Sequence, residues 1–200
     1  MPKLPTLTLD DVLDMNPCYT LRNLKRIAQR RKRWSLKQIL RLKSVPWGDR
    51  LWVVLNEEVL PEELHRLLAL DCACRALVRE RKAGREPDAR LWAAVEVVLG
   101  YTVNHLSTQE RAGASDSAAD VVRQLRPHFH DHRSVIQYRA ACLVEDAVSW
   151  GGFCAHSVAE SASSLAGLEG GCGFSKADCD KEKKTQLKRL LGLLDWYEKQ

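Results

Sequence analysis

Apolar residues recur at helical spacing along most of the chain, and alternating strand patterns are scarce. In the first quarter this spacing predicts short helices over Leu9–Asp14, after Thr20 and after Ser35. Thr8 and Asp11 have the spacing of a capping box, in which each side chain bonds the backbone N–H of the other residue. The first part of the chain is therefore expected to form three short helices joined by turns.

A long helix is predicted to follow a turn over residues 45–49, where Asp49 is expected to cap a short apolar segment. Pro61 suits the first position of the long helix, because a backbone N–H is not needed there. Gly84 provides a C-terminal stop, since glycine readily adopts the left-handed conformation that ends helices. Pro87 then opens a further helix, so the middle of the chain is expected to be helical as well.

The second half continues this pattern, with glycine at the predicted breaks. Gly113 weakens the helix expected after Ser107 and predicts a restart a few residues later. A helical pattern then covers residues 131–166 with one interruption, and a glycine-rich loop precedes a closing helix capped by Ser175. The prediction is an all-α protein with about eight or nine helices, arranged as a bundle or short helical stack.

Three segments are distinguished within this architecture: a basic helical segment over 1–48, a helical core over 49–166, and a loop with the closing helix over 167–200. Together they are expected to form one compact unit. The second half of the 131–166 pattern, Ala155 to Ala166, is rich in alanine and serine, and small residues recur there every four positions. Such a stripe allows close helix packing. It could pack internally or across a dimer, so the oligomeric state stays open. The stripe contains Ala155, Ala159 and Ala162.

Composition favours a soluble globular protein, with 45% hydrophobic and 28% charged residues. The N-terminus lacks the apolar run of a signal peptide, and no stretch approaches the roughly 20 apolar residues that span a bilayer. Seven cysteines without a disulfide-like spacing indicate a reducing compartment. The expectation is a cytoplasmic protein that does not contact a membrane.

Charge changes this picture, because it is strongly segregated. Between Met15 and Gly48 there are ten lysines and arginines and no acidic residue, whereas the whole chain has a net charge of only +5. The rest of the chain is therefore net negative, and the window is expected to present a positive surface to an acidic partner. Its basic residues are Arg22, Lys25, Arg26, Arg30, Arg31, Lys32, Arg33, Lys37, Arg41 and Lys43.

Several segments between Ser35 and Glu96 resemble a widespread set of bacterial and phage helical proteins that are often labelled immunity proteins. The matching stretches are Ser35–Leu42, Val45-Pro46, Asp49–Leu55, Leu64-His65, Cys72, Arg75–Leu77 and Arg85–Glu96.

The resemblance implies a helical scaffold and a phage or mobile-element setting, with no particular chemistry. Relatives continue with an Ala-, Arg- and Trp-rich helical region and a Leu-rich closing helix, which Leu187–Leu194 matches here. The resemblance begins at Ser35, so Arg22–Arg33 is expected to be specific to this chain. We therefore expect an anti-defence protein, similar in role to anti-CRISPR proteins, or an immunity protein.

The basic window has three interpretations that the sequence leaves open. It could bind an acidic protein surface, track nucleic-acid phosphates with Trp34 stacking on bases, or simply remain a solvated helix face. Our first hypothesis is a non-enzymatic inhibitor that binds a CRISPR-associated complex, another defence effector or a toxin. DNA or RNA binding through the same residues is the alternative. The expected contact residues are Lys25, Arg26, Arg30, Arg31, Lys32, Arg33, Trp34 and Lys37.

Other chemistry finds little support in the sequence. His128, His130 and His132 alternate beside Asp131, and imidazole and carboxylate are zinc ligands, but no further ligand has standard spacing. An exposed interhelical loop is the preferred interpretation of this segment. No nucleophile elbow, phosphate-binding loop or His-Glu-x-x-His motif occurs. We therefore expect no enzyme activity, no cofactor and no bound metal.

Overall fold

A computed structural model describes residues 3–28, 31–104, 108–126, 131–149, 155–168 and 175–200. These residues form ten helices and a minimal two-stranded antiparallel sheet, so the all-α prediction is confirmed. The N-terminal elements are β1 (Thr6–Leu7), α1 (Leu9–Asp14), α2 (Leu21–Ala28), β2 (Trp34–Ser35), α3 (Leu36–Leu40) and α4 (Trp47–Val54).

Six longer helices form the body of the molecule. They are α5 (Glu62–Lys82), α6 (Ala89–Asn104), α7 (Thr108–Leu125), α8 (His132–Ser149), α9 (Ala155–Leu168) and α10 (Lys176–Tyr197). None of the helices in the ranges above is long and apolar enough to cross a membrane.

Side-chain caps account for where several helices begin. Thr8 accepts a hydrogen bond from the Asp11 backbone N–H while the Asp11 carboxylate accepts one from Thr8, which confirms the first capping box. Ser35 and Gln38 form a second reciprocal pair at the start of α3. At α10 the Ser175 hydroxyl accepts a hydrogen bond from the Asp178 N–H, as predicted. These local bonds satisfy first-turn N–H groups that would otherwise lack partners.

The long helix α5 lies at the centre of the bundle and packs against α6, α8, α9 and α10. It buries residues on several sides, including Leu64, Leu68, Cys72 and Leu77. One continuous apolar cluster extends from Leu4 to Leu194, and it includes buried residues from every helix whose side chains are described. The N-terminal segment thus shares a core with the rest of the chain.

The N-terminal segment is attached to this body at several points. β1 and β2 pair with Leu7 opposite Trp34, which ties the start of the chain to α3. The Lys37 ammonium group bridges the carboxylates of Asp195 and Glu198 near the end of α10. Each of these contacts joins residues distant in sequence.

Two local expectations were wrong. Asp49 does not cap α4, because the helix begins at Trp47 after Pro46 and has no side-chain cap; Asp49 lies within its first turn. Gly113 does not interrupt α7, which is continuous from Thr108 to Leu125 because its packing against α6 and α8 outweighs the low helix propensity of glycine.

The small-residue stripe of α9 packs inside the molecule. Ala155, Ala159 and Ala162 are buried, and α9 lies against α5, α8 and α10. Of the two predicted arrangements, packing inside the molecule is therefore the one that the structure shows. At its closest point the buried Gln186 amide of α10 donates a hydrogen bond to the Ala159 carbonyl, 2.8 Å away. A side chain can reach the backbone of α9 here because the residues between them are small.

Candidate binding surface and neighbouring cavity

Helix α2 presents its positive charges to solvent because its apolar residues face the core. Leu24 and Ala28 are buried, whereas Lys25 and Arg26 are exposed, as is Arg22 one turn earlier. After α2 the exposed basic residues continue with Arg31, Lys32 and Arg33. We call these six exposed residues the cationic surface: Arg22, Lys25, Arg26, Arg31, Lys32 and Arg33.

Most of the cationic surface is not engaged in ion pairs. No carboxylate in the described part of the chain forms an ion pair with Lys25, Arg26, Arg31 or Lys32. Arg33 differs, since its guanidinium group donates to the Thr6 hydroxyl at 3.3 Å. The uncompensated charges are thus available to a partner.

An apolar side chain accompanies these charges. Leu21, the first residue of α2, is 47% exposed. Leu21 and Lys25 are four residues apart and so lie on the same side of the helix. A surface that combines basic residues with an exposed leucine suits a protein partner better than a purely charged one would.

The structure changes the role of two predicted contact residues. Trp34 is only 6% exposed and lies in the core, so its ring is not available for base stacking. Lys37 is partly buried and forms ion pairs with Asp195 and Glu198, which raise its pKa. Its charge is therefore already paired within the molecule. Arg30 lies outside the described residues, and its predicted contact role stays a prediction.

A small cavity of about 230 Å³ opens between α2 and α3 beside the cationic surface. Its floor is apolar and includes Ile27, Trp34 and Leu42, while Arg31 and Arg41 contribute guanidinium groups. Two exposed arginines over an apolar floor can receive a carboxylate together with its aliphatic stem. The cavity adds shape to what would otherwise be a flat charged area.

A larger cavity of about 500 Å³ lies on the other side of Ile27, Trp34 and Leu42, which line both spaces. Its walls come from α1, α2, α3, α4 and α9 and from the turns between them. This volume falls within the range typical of small-molecule sites, roughly 300–1,000 Å³. Apolar side chains dominate the walls, and they include Leu9, Val12, Leu24, Ile27, Trp34, Ile39, Leu42, Val45, Trp52 and Val53.

Polar groups of the larger cavity come from three separate elements. The Tyr19 hydroxyl, in the turn before α2, donates a hydrogen bond to the Asp49 carboxylate in α4. This bond is the main reason why the pKa of Tyr19 is raised to about 12, since it favours the protonated phenol. Asp49 therefore fixes the ring that closes one side of the cavity.

Asn16, Arg50, His156 and Glu160 also contribute to the polar lining. The Arg50 guanidinium group donates to the Leu40 carbonyl at 2.7 Å, and burial lowers its pKa. Glu160 reaches from α9 toward the first turn of α4, where its Oε1 atom lies 3.9 Å from the position that a Cβ on Gly48 would occupy. The Glu160 carboxylate is thus close to the residue that precedes Asp49.

Metal-ligating and thiol groups do not converge on this region. Among the residues that the structure describes, no three His, Cys, Asp or Glu side chains are grouped so as to hold a metal ion. His132 begins α8, but His128 and His130 lie outside those residues, so that candidate stays untested. Cys18 is exposed at the larger cavity and is a free thiol.

Sequence reasoning located the cationic surface but missed the larger cavity. The surface is contiguous in sequence, so a count of charges was enough to find it. In contrast, Tyr19, Asp49 and Glu160 are far apart along the chain, and no local spacing relates them. Only the tertiary fold brings them into the lining of one cavity.

Comparison with known proteins adds no assignment: no family model, curated protein or solved structure matches the chain. The site must therefore be interpreted from its own residues.

Proposed function

We propose that the protein is a non-enzymatic binding protein that uses the cationic surface to dock onto an acidic surface of another protein. Its partner would be a defence effector, such as a CRISPR-associated complex, or a toxin, and binding would inhibit it. The biological setting is the one implied by the sequence resemblance of segments within residues 35–96 to phage and bacterial immunity-type proteins. The expected location is the cytoplasm of the host cell.

The observation that carries the proposal is the run of exposed basic residues on α2 and in the segment after it, most of which form no ion pair with the described residues, while the other face of α2 is buried. Lys25, Arg26 and Arg31 belong to this run. Side chains on an anchored helix keep a fixed spacing, and fixed charges can match a complementary pattern on a partner. The exposed Leu21 supplies an apolar contact of the kind found in protein interfaces.

A protein partner is preferred to nucleic acid because of Trp34. Binding of single strands depends on aromatic rings on which bases stack. Trp34 is the first aromatic residue after α2 in the basic window, and it is buried. Duplex binding by phosphate contacts alone remains the competing function, and the experiment must distinguish it.

The first test compares two triple charge reversals. In one variant Lys25, Arg26 and Arg31 become glutamate. In the control the exposed residues Lys181, Lys184 and Lys188 of α10 become glutamate, which changes the net charge equally. Each full-length protein is used for nuclease-treated affinity purification from bacteria that contain a defence system. Loss of the same captured effector only in the first variant supports the proposal.

Function is measured in the same cells by the efficiency with which the defence system blocks a targeted plasmid. Wild-type protein and the α10 control should restore plasmid uptake, whereas the cationic-surface variant should not. Equal activity of both triple variants would show that the cationic surface is irrelevant to inhibition.

The nucleic-acid alternative is tested by duplex DNA binding over a salt series. Phosphate contacts make log affinity fall with log salt, by about 0.9 for each phosphate neutralised on duplex DNA. We expect weak binding without sequence preference. Tight binding with a steep slope, lost in the cationic-surface variant, would instead assign nucleic acid as the partner.

A further inference from the structure

The larger cavity differs from the cationic surface in the side chains that it offers to a ligand. The exposed side chains of Lys25 and Arg26 do not line it, although their helix contributes Leu24 and Ile27 to its wall. The charged side chains that do line it are Asp49, Arg50 and Glu160. Its preference for a ligand therefore has to be derived from these residues.

The body of a ligand would be apolar. Aliphatic and aromatic side chains form most of the wall, and water held against them is less favourable than an apolar group would be. A volume of about 500 Å³ accommodates a molecule the size of a substituted aromatic ring with a short side chain. Tyr19, Trp34 and Trp52 are among the lining residues.

The charged group of a ligand would be positive. Two carboxylates line the cavity against one guanidinium group, so the charged side chains of the lining sum to one negative charge. The guanidinium group donates to the Leu40 carbonyl through Nη1, while its buried Nε has no hydrogen-bond partner among the described residues. The Tyr19 hydroxyl donates to a single oxygen of Asp49, Oδ2, and no protein donor is recorded for Glu160 among the described residues. Aromatic faces and carboxylates both attract organic ammonium groups.

We propose that this cavity binds a small organic cation, in which an ammonium group on an apolar body lies near Asp49 and Glu160 while the body packs against Trp34, Trp52 and Tyr19. The site is independent of the partner-binding function proposed above.

The first experiment uses three compounds with the same aromatic body and different charges. They are 2-phenylethylammonium, 2-phenylethanol and 3-phenylpropionate, and each is titrated into the full-length protein by calorimetry. We expect the cation to saturate the protein below about 1 mM and to bind at least about ten-fold more tightly than the alcohol. The anion should bind weakest. Equal affinity of cation and alcohol, or no saturable binding of the cation, would overturn the proposal.

The second experiment locates the binding. Glu160→Gln retains the shape of the side chain, removes its charge and breaks no recorded contact, so folding should be preserved. The variant should bind the cation about five- to ten-fold more weakly and the alcohol unchanged. The control is Glu58→Gln, which removes an exposed carboxylate that does not line the cavity. An equal loss in both variants, or no loss in Glu160→Gln, contradicts the assignment.

Cys18 gives a separate positional measurement because it is exposed and lines the cavity. Saturating 2-phenylethylammonium should slow alkylation of Cys18 by at least about two-fold, as followed by mass spectrometry of its peptide, because a bound molecule restricts approach to a lining thiol. The rate should be unchanged by the same concentration of 3-phenylpropionate. An unprotected Cys18 at saturation would place the binding elsewhere and overturn the site.

Discussion

Gly84 and Tyr19 each determine one local feature of this structure. Sequence rules predict the first of these features but not the second. Gly84 follows α5 with a φ of 73°, in the left-handed region that glycine adopts without strain. The sequence predicted a stop at this position, and the backbone conformation gives its physical reason. Tyr19 is the opposite case, because its bond to Asp49 spans 30 residues and leaves no trace in the local sequence.

Replacing Gly84 by alanine should destabilise the protein by about 1 kcal/mol, because a Cβ strains the left-handed backbone. No atom lies within 4 Å of the added Cβ, so a steric clash does not contribute. The matched control is Gly113→Ala within α7, where space is also open and alanine should stabilise the helix by up to about 1 kcal/mol. Urea denaturation of both variants measures these effects; the same sign for both would contradict the backbone argument.

The phenol of Tyr19 should titrate at about pH 12. Because its folded pKa is raised, the stabilising effect of the Tyr19–Asp49 bond is present below about pH 10 and is lost as pH rises toward 12. The difference between the ultraviolet titration curves of the wild type and of Tyr19→Phe isolates the ionisation of Tyr19. Asp49→Asn should lower its pKa toward the ordinary value, and an unchanged pKa would show that Asp49 is not the cause.

At the scale of elements, α10 is held to α5 by a buried charge cluster. Glu182 of α10 is 6% exposed and accepts hydrogen bonds from Arg75 at 2.8 Å and Arg79 at 2.9 Å. Gln186 continues the contact one turn later by bonding to α9. The closing helix was predicted from its leucines, but these polar contacts also fix its position relative to α5 and α9.

Glu182→Gln should destabilise the protein by about 2–4 kcal/mol, because it removes the charge of a buried carboxylate that pairs with both Arg75 and Arg79. Arg75 keeps its ion pair with Asp71 in the variant. Glu198→Gln is the control, since it removes an exposed carboxylate that pairs with Lys37 and should cost less than about 1 kcal/mol. Thermal and urea unfolding compare the two. Similar losses in both would mean that burial does not strengthen the Glu182 pair.

Interactions between residues close in sequence could be predicted from the sequence, whereas those between distant residues could not. Capping pairs at Thr8 and Ser35 join residues three apart, so they could be found from spacing alone. The β1–β2 pairing joins residues 27 or more apart over only two positions each, which leaves too little pattern to detect. The larger cavity is lined by residues of α1, α2, α4 and α9, and such a tertiary arrangement is not encoded in any single segment.

The whole molecule is expected to unfold as one unit, because a single apolar cluster contains residues from Leu4 to Leu194. Trp34 of the N-terminal segment belongs to that cluster, as does Leu68 of α5. Tryptophan fluorescence and far-ultraviolet circular dichroism should therefore give the same midpoint in urea. A separate transition at lower urea, absent when Trp34 is replaced by phenylalanine, would show that the N-terminal segment unfolds independently.

The β1–β2 pairing has a consequence for how such a protein can change. Thr6 lies opposite Ser35 and Leu7 opposite Trp34, so the chain leaves the scaffold and returns to it at nearly one point. The intervening excursion contains α1 and α2 and carries the cationic surface. Closing a longer excursion costs only about 0.6 kcal/mol for each doubling of its length. The two strands thus hold the ends of the α1–α2 segment close together, so a change in the length of its connecting turns should add little loop-closure cost.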